Sequence, residues 1–364
     1  MIIQARGAVL PDSVVGELWI EVTSGLISDI QLGVHHQPDT IADGTLIPGF
    51  IDIHCHGGGG KYFSDSSPDA ISLAIAAHRN SGTTGIVASL VTETIKDLKQ
   101  QVGQLLPFYN RGEILGIHLE GPYLSHAKCG AHEPSLLIEP TISQIKEILE
   151  VGQGSIKMVT IAPELIGAPA AIKYLTANKV VAAIGHTDGD ESDAKVATEN
   201  GATVVTHFLN AMNKVGGAGT IRDFIEQEGR LSIELILDGH HVPISTAQEI
   251  LNTFGARVVL VSDAMAAAGS VDGDYLIGKL PVTVEDGVAR LKSNQKLAGS
   301  TLTLAQAFIK AVAECQLTIE RAVAITSTNA ARALGLSDRG VIEVGKRADI
   351  LSFNPSTLKI TRIN

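Results

Sequence analysis

Two histidines separated by one residue, His54-Cys55-His56, follow the apolar run PGFIDI, and four other metal-binding groups close four other apolar runs. Glu120 ends EILGIHLE, His186 ends VVAAIGH, His207 ends ATVVTH and Asp263 ends RVVLVSD. Imidazole and carboxylate are the ligand types of catalytic metal sites, where an ion polarises a carbonyl and acidifies a water. Side chains alternate along an extended chain, so His54 and His56 face one way and suit two bonds to one ion. Cys55 faces away and reads as a packed thiol. Glu120 precedes Gly121-Pro122, which ends its strand, and it reads as an oxygen ligand able to bridge two ions. Asp263 can bind the ion, or take the proton from its water and pass it on. Each group alone has a bland reading: loop histidines, a solvated glutamate, an aspartate cap. Their shared position at strand ends favours the metal site. His118, two residues before Glu120, divides evenly between supporting that site and filling the core.

These groups meet only if the strands carrying them run side by side. Eight apolar runs read as strands: 50–53, 85–90, 114–119, 156–161, 180–185, 203–206, 233–237 and 258–262. Helical segments such as SPDAISLAIAAHRN, TISQIKEILEV, SDAKVATEN and PISTAQEILNTF lie between most of them, and two more helices are expected near 301–315 and 319–334. Alternating strands and helices predict an α/β fold, a (β/α)8 TIM-like barrel over residues 48–335, in which all strand ends gather at one rim. An open doubly wound sheet is the competitor, but no GxGxxG turn follows an early strand. Residues 1–47 and 336–364 read as short strands with turns at Ser24-Gly25, Gly345 and Pro355, and are expected to pack together as one split β-sandwich. The Gly57–Gly60 run lacks the GK[ST] ending of a phosphate loop and reads as a flexible turn.

The chain has 364 residues, 45% of them hydrophobic, enough for one large domain and a smaller one. A net charge of −11 argues against nucleic acid as partner, while leaving room for a small anion held by a few local cations. No apolar run reaches eighteen residues, so no membrane partner is expected. The first residues lack a signal-peptide pattern, and three scattered cysteines form no disulfide framework, so the expected location is cytoplasmic.

Longer stretches resemble a known family. PGFIDIHCHG, GIHLEGPYLSHAKCGAH, TIAPE, GHTDGD, THFLNAM, DGHHV, VSDAMAAAG, LAGSTLTLAQAF, NAARALGL and GKRADI together span nearly the whole chain. They resemble the amidohydrolase superfamily and, within it, the deacetylases that act on N-acetylglucosamine 6-phosphate. That resemblance implies a metal-dependent amide hydrolase with one or two divalent ions (Zn, Fe, Mn or Co) and a homodimeric assembly. It implies Glu120, His186 and His207 as the principal ligands, with His54 and His56 available for a second ion. Asp263 would be the general acid/base and His132 the group that contacts the substrate carbonyl. Ala131, Asn210, Ala211 and His241 would contact an N-acetylated amino sugar.

One departure stands out. Members of this group carry an arginine after NAM that holds the substrate phosphate, often across a dimer. Here the segment reads NKVGGAGTIRD, with Lys214 early and Arg222 late, neither in that place. Lys214 and His241 are therefore the cations expected near the 6-position. Lysine offers a point charge without arginine's bidentate fork. The competing functions are a deacetylase of another N-acyl amino sugar or N-acyl amino acid and, more distantly, a silent scaffold. A scaffold would be expected to have lost ligands or the acid/base, and every position is filled.

Overall fold

The computed structural model describes residues 1–363; Asn364, which falls within the expected terminal unit, lies outside the described residues. Eight strands form one parallel sheet in sequence order: Phe50–Cys55, Thr83–Leu90, Gly116–Glu120, Ile156–Ile161, Val181–Ile184, Val204–Val205, Ser232–Ile236 and Val258–Val261. The first, third and last are buried at every position, which explains why they read as continuous apolar runs without alternation. Just past the last strand, Ala264 bridges in parallel to Cys55, and the Asp263 N–H donates to the His54 carbonyl at 2.9 Å. The sheet thereby closes into the (β/α)8 barrel expected from the sequence.

Register explains why distant residues converge. Ile184 pairs with Val205. His186 and His207 each lie two residues beyond that pair, so they emerge at the same height on the same side of adjacent strands. Ile236 pairs with Val261, and the same offset brings Asp238 and Asp263 to one level. The surrounding helices start on side-chain caps, including Thr94, Thr141 and Thr303, and Asp190 forms a reciprocal capping box with Asp193.

Strands from both termini build two further sheets. One runs Lys359–Ile363, Ile350–Asn354, Thr45–Pro48, Gly7–Val9, Val14–Val15; the other runs Leu26–Leu32, Leu18–Thr23, Ile2–Ala5, Thr40–Ile41. Ile3, Leu18, Ile20, Ile27, Leu46, Ile342 and Ile350 fill a separate small core between them.

The barrel carries an insert not expected from the sequence. Between the last barrel strand and the helix Leu304–Ala313, three antiparallel strands, Gly273–Ile277, Leu280–Glu285 and Val288–Leu291, form a small sheet. Its signal was present in Asp286-Gly287. Both residues hold positive φ (48° and 73°), as a tight hairpin whose twist matches its strands requires.

Candidate active site

The barrel rim gathers all six proposed ligands. Glu120, the last residue of its strand, presents two oxygens to two nests of imidazole. Its Oε1 lies 3.1 Å from His186 Nε2 and 3.0 Å from His207 Nε2, and those two nitrogens are 3.0 Å apart. Its Oε2 lies 3.1 Å from His56 Nε2 and 3.3 Å from His132 Nε2. His54 Nε2 stands 3.1 Å from His56 Nε2, 3.5 Å from Glu120 Oε1 and 3.5 Å from Asp263 Oδ1. Around an ion bound at about 2.0–2.2 Å, neighbouring ligand atoms of a tetrahedral shell are about 3.3–3.6 Å apart. The donor atoms here sit close to that spacing. The residues fit a divalent metal.

Backbone strain accompanies this convergence. His186, His207 and Asp263 hold φ values of 49°, 27° and 47°, a region that costs a residue with a Cβ on the order of 1 kcal/mol or more. The turns are secured locally: the His186 carbonyl accepts from Ser125 N–H at 2.9 Å and the Asp263 carbonyl from Ser300 N–H at 2.8 Å.

The other ring nitrogens decide which face each imidazole offers. His186 Nδ1 lies 2.9 Å from the Lys128 carbonyl, which can only accept, so its proton sits there and Nε2 keeps a lone pair for an ion. His54 Nδ1 stands 3.0 Å from Glu234 Oε2, with both side chains fully buried. Glu234 also accepts the His207 N–H at 3.2 Å. This glutamate escaped the sequence reading because it lies inside IELIL, where alternation along the seventh strand turns it into the barrel. His56 Nδ1 and His207 Nδ1 have no hydrogen-bond partner among the described residues.

His118 supports the site from below. Its Nδ1 is 3.0 Å from Ser89 Oγ and its Nε2 2.8 Å from Thr160 Oγ1, which in turn is 2.9 Å from Thr206 Oγ1. Its ring meets His54 edge-on at 4.6 Å. Burial, followed by the His54 charge, pushes its pKa well below the ordinary histidine range and keeps it neutral. Electrostatics across the site favour positive charge. Burial works against ionisation of Asp263, but His54 and the hydrogen bond from His56 hold it down to about 2. Burial of Glu120 is likewise outweighed, by His54 and then His132, leaving its carboxylate well below the usual range. Despite burial, Glu120 leads Glu234 and Asp263 in raising His54. The field that draws protons to this imidazole also draws a cation.

His132, like His118, is held neutral by burial. Burial pushes it down to about 4. Its Nδ1 lies 2.8 Å from Thr92 Oγ1 and 3.3 Å from the Thr92 backbone N–H, while its Nε2 faces the Glu120 carboxylate, an acceptor, at 3.3 Å. The tautomer that suits this carboxylate carries its proton on Nε2, directed at the centre of the site. A neutral N–H at this point can donate to a carbonyl oxygen as negative charge develops on it.

Above the ligands lies a cavity of about 410 Å³. His132, Ala131, Asn210, Ala211, His241 and Lys214 all line it, together with His56, Glu120, His186, His207 and Asp263. Asn210 Nδ2 donates to the carbonyls of His207 and Phe208 at 3.1 and 3.3 Å, which fixes the amide at the cavity wall. His241 Nδ1 stands 2.7 Å from Asp238 Oδ2, while Asp238 Oδ1 accepts the N–H of His240 and of His241. Arg222 does not line the cavity. Its guanidinium donates to Glu226 at 2.7 Å and to the Lys214 carbonyl at 3.0 Å, bracing the segment that carries Lys214. Lys128, Lys296, Ile277 and Leu297 also line the cavity and were missed from sequence; the last three come from the insert and its return.

Comparisons with known proteins identify the chain's relatives. Residues 45–363 match the model of the amidohydrolase family. The chain is 39% identical to N-acetyl-D-glucosamine-6-phosphate deacetylase from Mycobacterium smegmatis, solved in complex with N-acetyl-D-glucosamine-6-phosphate, with a TM-score of 0.96 over 100% of this chain and 97% of that one. It is 32% identical to N-acetylglucosamine-6-phosphate deacetylase of Bacillus subtilis (strain 168), covering 96% of this chain and 92% of the relative. It is also 31% identical to N-acetylgalactosamine-6-phosphate deacetylase of Escherichia coli O157:H7, covering 85% and 83%.

Proposed function

This chain belongs to the amidohydrolase family, and from that premise we propose that it hydrolyses the acetamide of N-acetylglucosamine 6-phosphate to glucosamine 6-phosphate and acetate. The observation that carries this reading is the cavity in which an ionised Asp263, a neutral His132 and the Glu120 ligand nests face one space. Glu120, His186 and His207 would hold a divalent ion, and His54, His56 and Asp263 would supply donors for a second. The ion would polarise the acetamide carbonyl and lower the pKa of a water toward about 7. Zn, Fe, Mn and Co all suit these donors.

The chain's own residues do the rest. Asp263, an ionised carboxylate at the cavity base, takes the proton from the attacking water. It returns that proton to the nitrogen as the C–N bond breaks, so that the amine leaves neutral. His132 donates its Nε2 proton to the carbonyl oxygen, a contribution that elsewhere reaches about 3–4 kcal/mol. Ala131, Asn210 and Ala211 form the wall against which the sugar is held. His241, oriented by Asp238, and Lys214 take the phosphate. The same proposal includes residues 1–47 with 336–364 as one split unit beside the 48–335 barrel, a homodimer, and a cytoplasmic location. No helix among the described residues is long and apolar enough to cross a membrane.

A second reading is the C4 epimer, N-acetylgalactosamine 6-phosphate, favoured by the nearly equal likeness to deacetylases of both sugars. The test is a panel of N-acetyl sugars of both epimers, with and without 6-phosphate, scored for released amine. The proposal requires the highest kcat/KM with N-acetylglucosamine 6-phosphate. No preference for the phosphate moves the chain to another N-acyl substrate.

A further inference from the structure

The cavity is polarised. Its base carries Glu120 and Asp263, whereas its lining elsewhere carries Lys128, Lys214 and Lys296 and, among the described residues, no other carboxylate. Lys128 is engaged by Asp188 at 3.2 Å. Neither Lys214 nor Lys296 has an ion-pair partner among the described residues. Lys214 follows the sixth barrel strand, His241 the seventh and Lys296 the eighth, so three nitrogen groups rise from three consecutive loops. In barrels of this architecture the loops after strands seven and eight frequently hold phosphate.

Lys296 also stands on fixed backbone. Its N–H donates to Asn294 Oδ1 at 3.1 Å and its carbonyl accepts the Leu291 N–H at 2.8 Å, which closes the turn after the last strand of the insert. Leu297 then bridges back to Arg290. Three residues after Lys296 comes Gly299, where a Cβ would lie 3.1 Å from the Asp263 carbonyl oxygen. The backbones of Lys296 and Asp263 are thus tied together by a short run of chain, at most about 11 Å between Lys296 and Gly299, and both side chains line the same cavity.

We propose that Lys296 recognises the substrate phosphate and, with Lys214 two loops away, forms a two-ammonium clasp around it within a single chain. This rests on the deacetylase reading above and names a specificity residue for it. Each ammonium supplies a point charge with rotatable donors, so two of them from separate loops can bracket a dianion that neither would hold firmly alone.

The experiment measures the dissociation constant of glucose 6-phosphate on metal-loaded protein, with kcat and KM for N-acetylglucosamine with and without 6-phosphate. Lys296→Gln is expected to weaken glucose 6-phosphate by about fivefold or more, the scale of one typical hydrogen bond. Its loss in kcat/KM should be larger for the phosphorylated sugar by a similar factor and should fall mainly on KM, and Lys296→Arg should recover most of it. A weakening below about fivefold, or equal losses with both sugars, overturns the assignment. Glucose 6-phosphate has no acetamide. Its binding therefore reports on Lys296 even if wild-type protein released no acetate, a result that would count against the proposed reaction instead.

Discussion

His54 Nδ1 and Glu234 Oε2 stand 3.0 Å apart, and neither side chain has any exposure to solvent. The contact fixes which nitrogen of His54 faces the ligand nests, and the carboxylate raises the basicity of that nitrogen. Glu234→Gln keeps the shape and a hydrogen-bonding group but removes the charge. Metal affinity measured by competition with a chelator is expected to fall about 10- to 100-fold. An affinity within threefold of wild type would show that the pair only fills space.

Asp263 is expected to move protons and contribute less to binding the sugar. Asp263→Asn should lower kcat by about 10² or more while the substrate still binds. A kcat within a few-fold of wild type would assign the proton transfer to another group.

Lys214 lines the cavity without an ion-pair partner among the described residues, on a segment braced by Arg222. Lys214→Ala is expected to raise KM for N-acetylglucosamine 6-phosphate much more than for the unphosphorylated sugar. Equal effects on both sugars would remove Lys214 from the phosphate site.

The pH dependence of phosphate recognition has a predictable sign. Burial would raise the Asp238 pKa, but the hydrogen bond and charge of His241 outweigh it and hold the carboxylate below its ordinary value of 3.8. Stability from this contact is therefore complete above pH 3.8 and lost only as pH falls further, so Asp238 keeps orienting His241 throughout the neutral range. The phosphate monoester itself gains a proton near pH 6. The ratio of kcat/KM with and without 6-phosphate should consequently fall as pH drops through about 6. A flat ratio between pH 5 and 8 would mean that the dianion is not what the lysines select.

The barrel and its ligands were legible because they leave a local mark. Fully buried parallel strands read as apolar runs, and the groups at their ends, Glu120, His186, His207 and Asp263, interrupt those runs abruptly. Glu234 left no such mark: a charged residue inside IELIL has the same appearance whether it points into the barrel or toward a helix. Lys128 and Lys296 were illegible for a different reason, since only the fold of the insert and of the loop after Glu120 turns them toward the cavity. The insert itself could have been found from Asp286-Gly287 flanked by alternating apolar residues.

The central claim is metal-assisted deacetylation of a phosphorylated amino sugar, and acetate release by stripped and reloaded protein tests it most directly. Protein freed of divalent ions should lose turnover of N-acetylglucosamine 6-phosphate and regain it when Zn, Fe, Mn or Co is added back. Glu120→Gln, which loses the charge shared by both nests, should not regain it. Full turnover by protein verified to be metal-free, or no acetate from any reloaded form, would contradict the account.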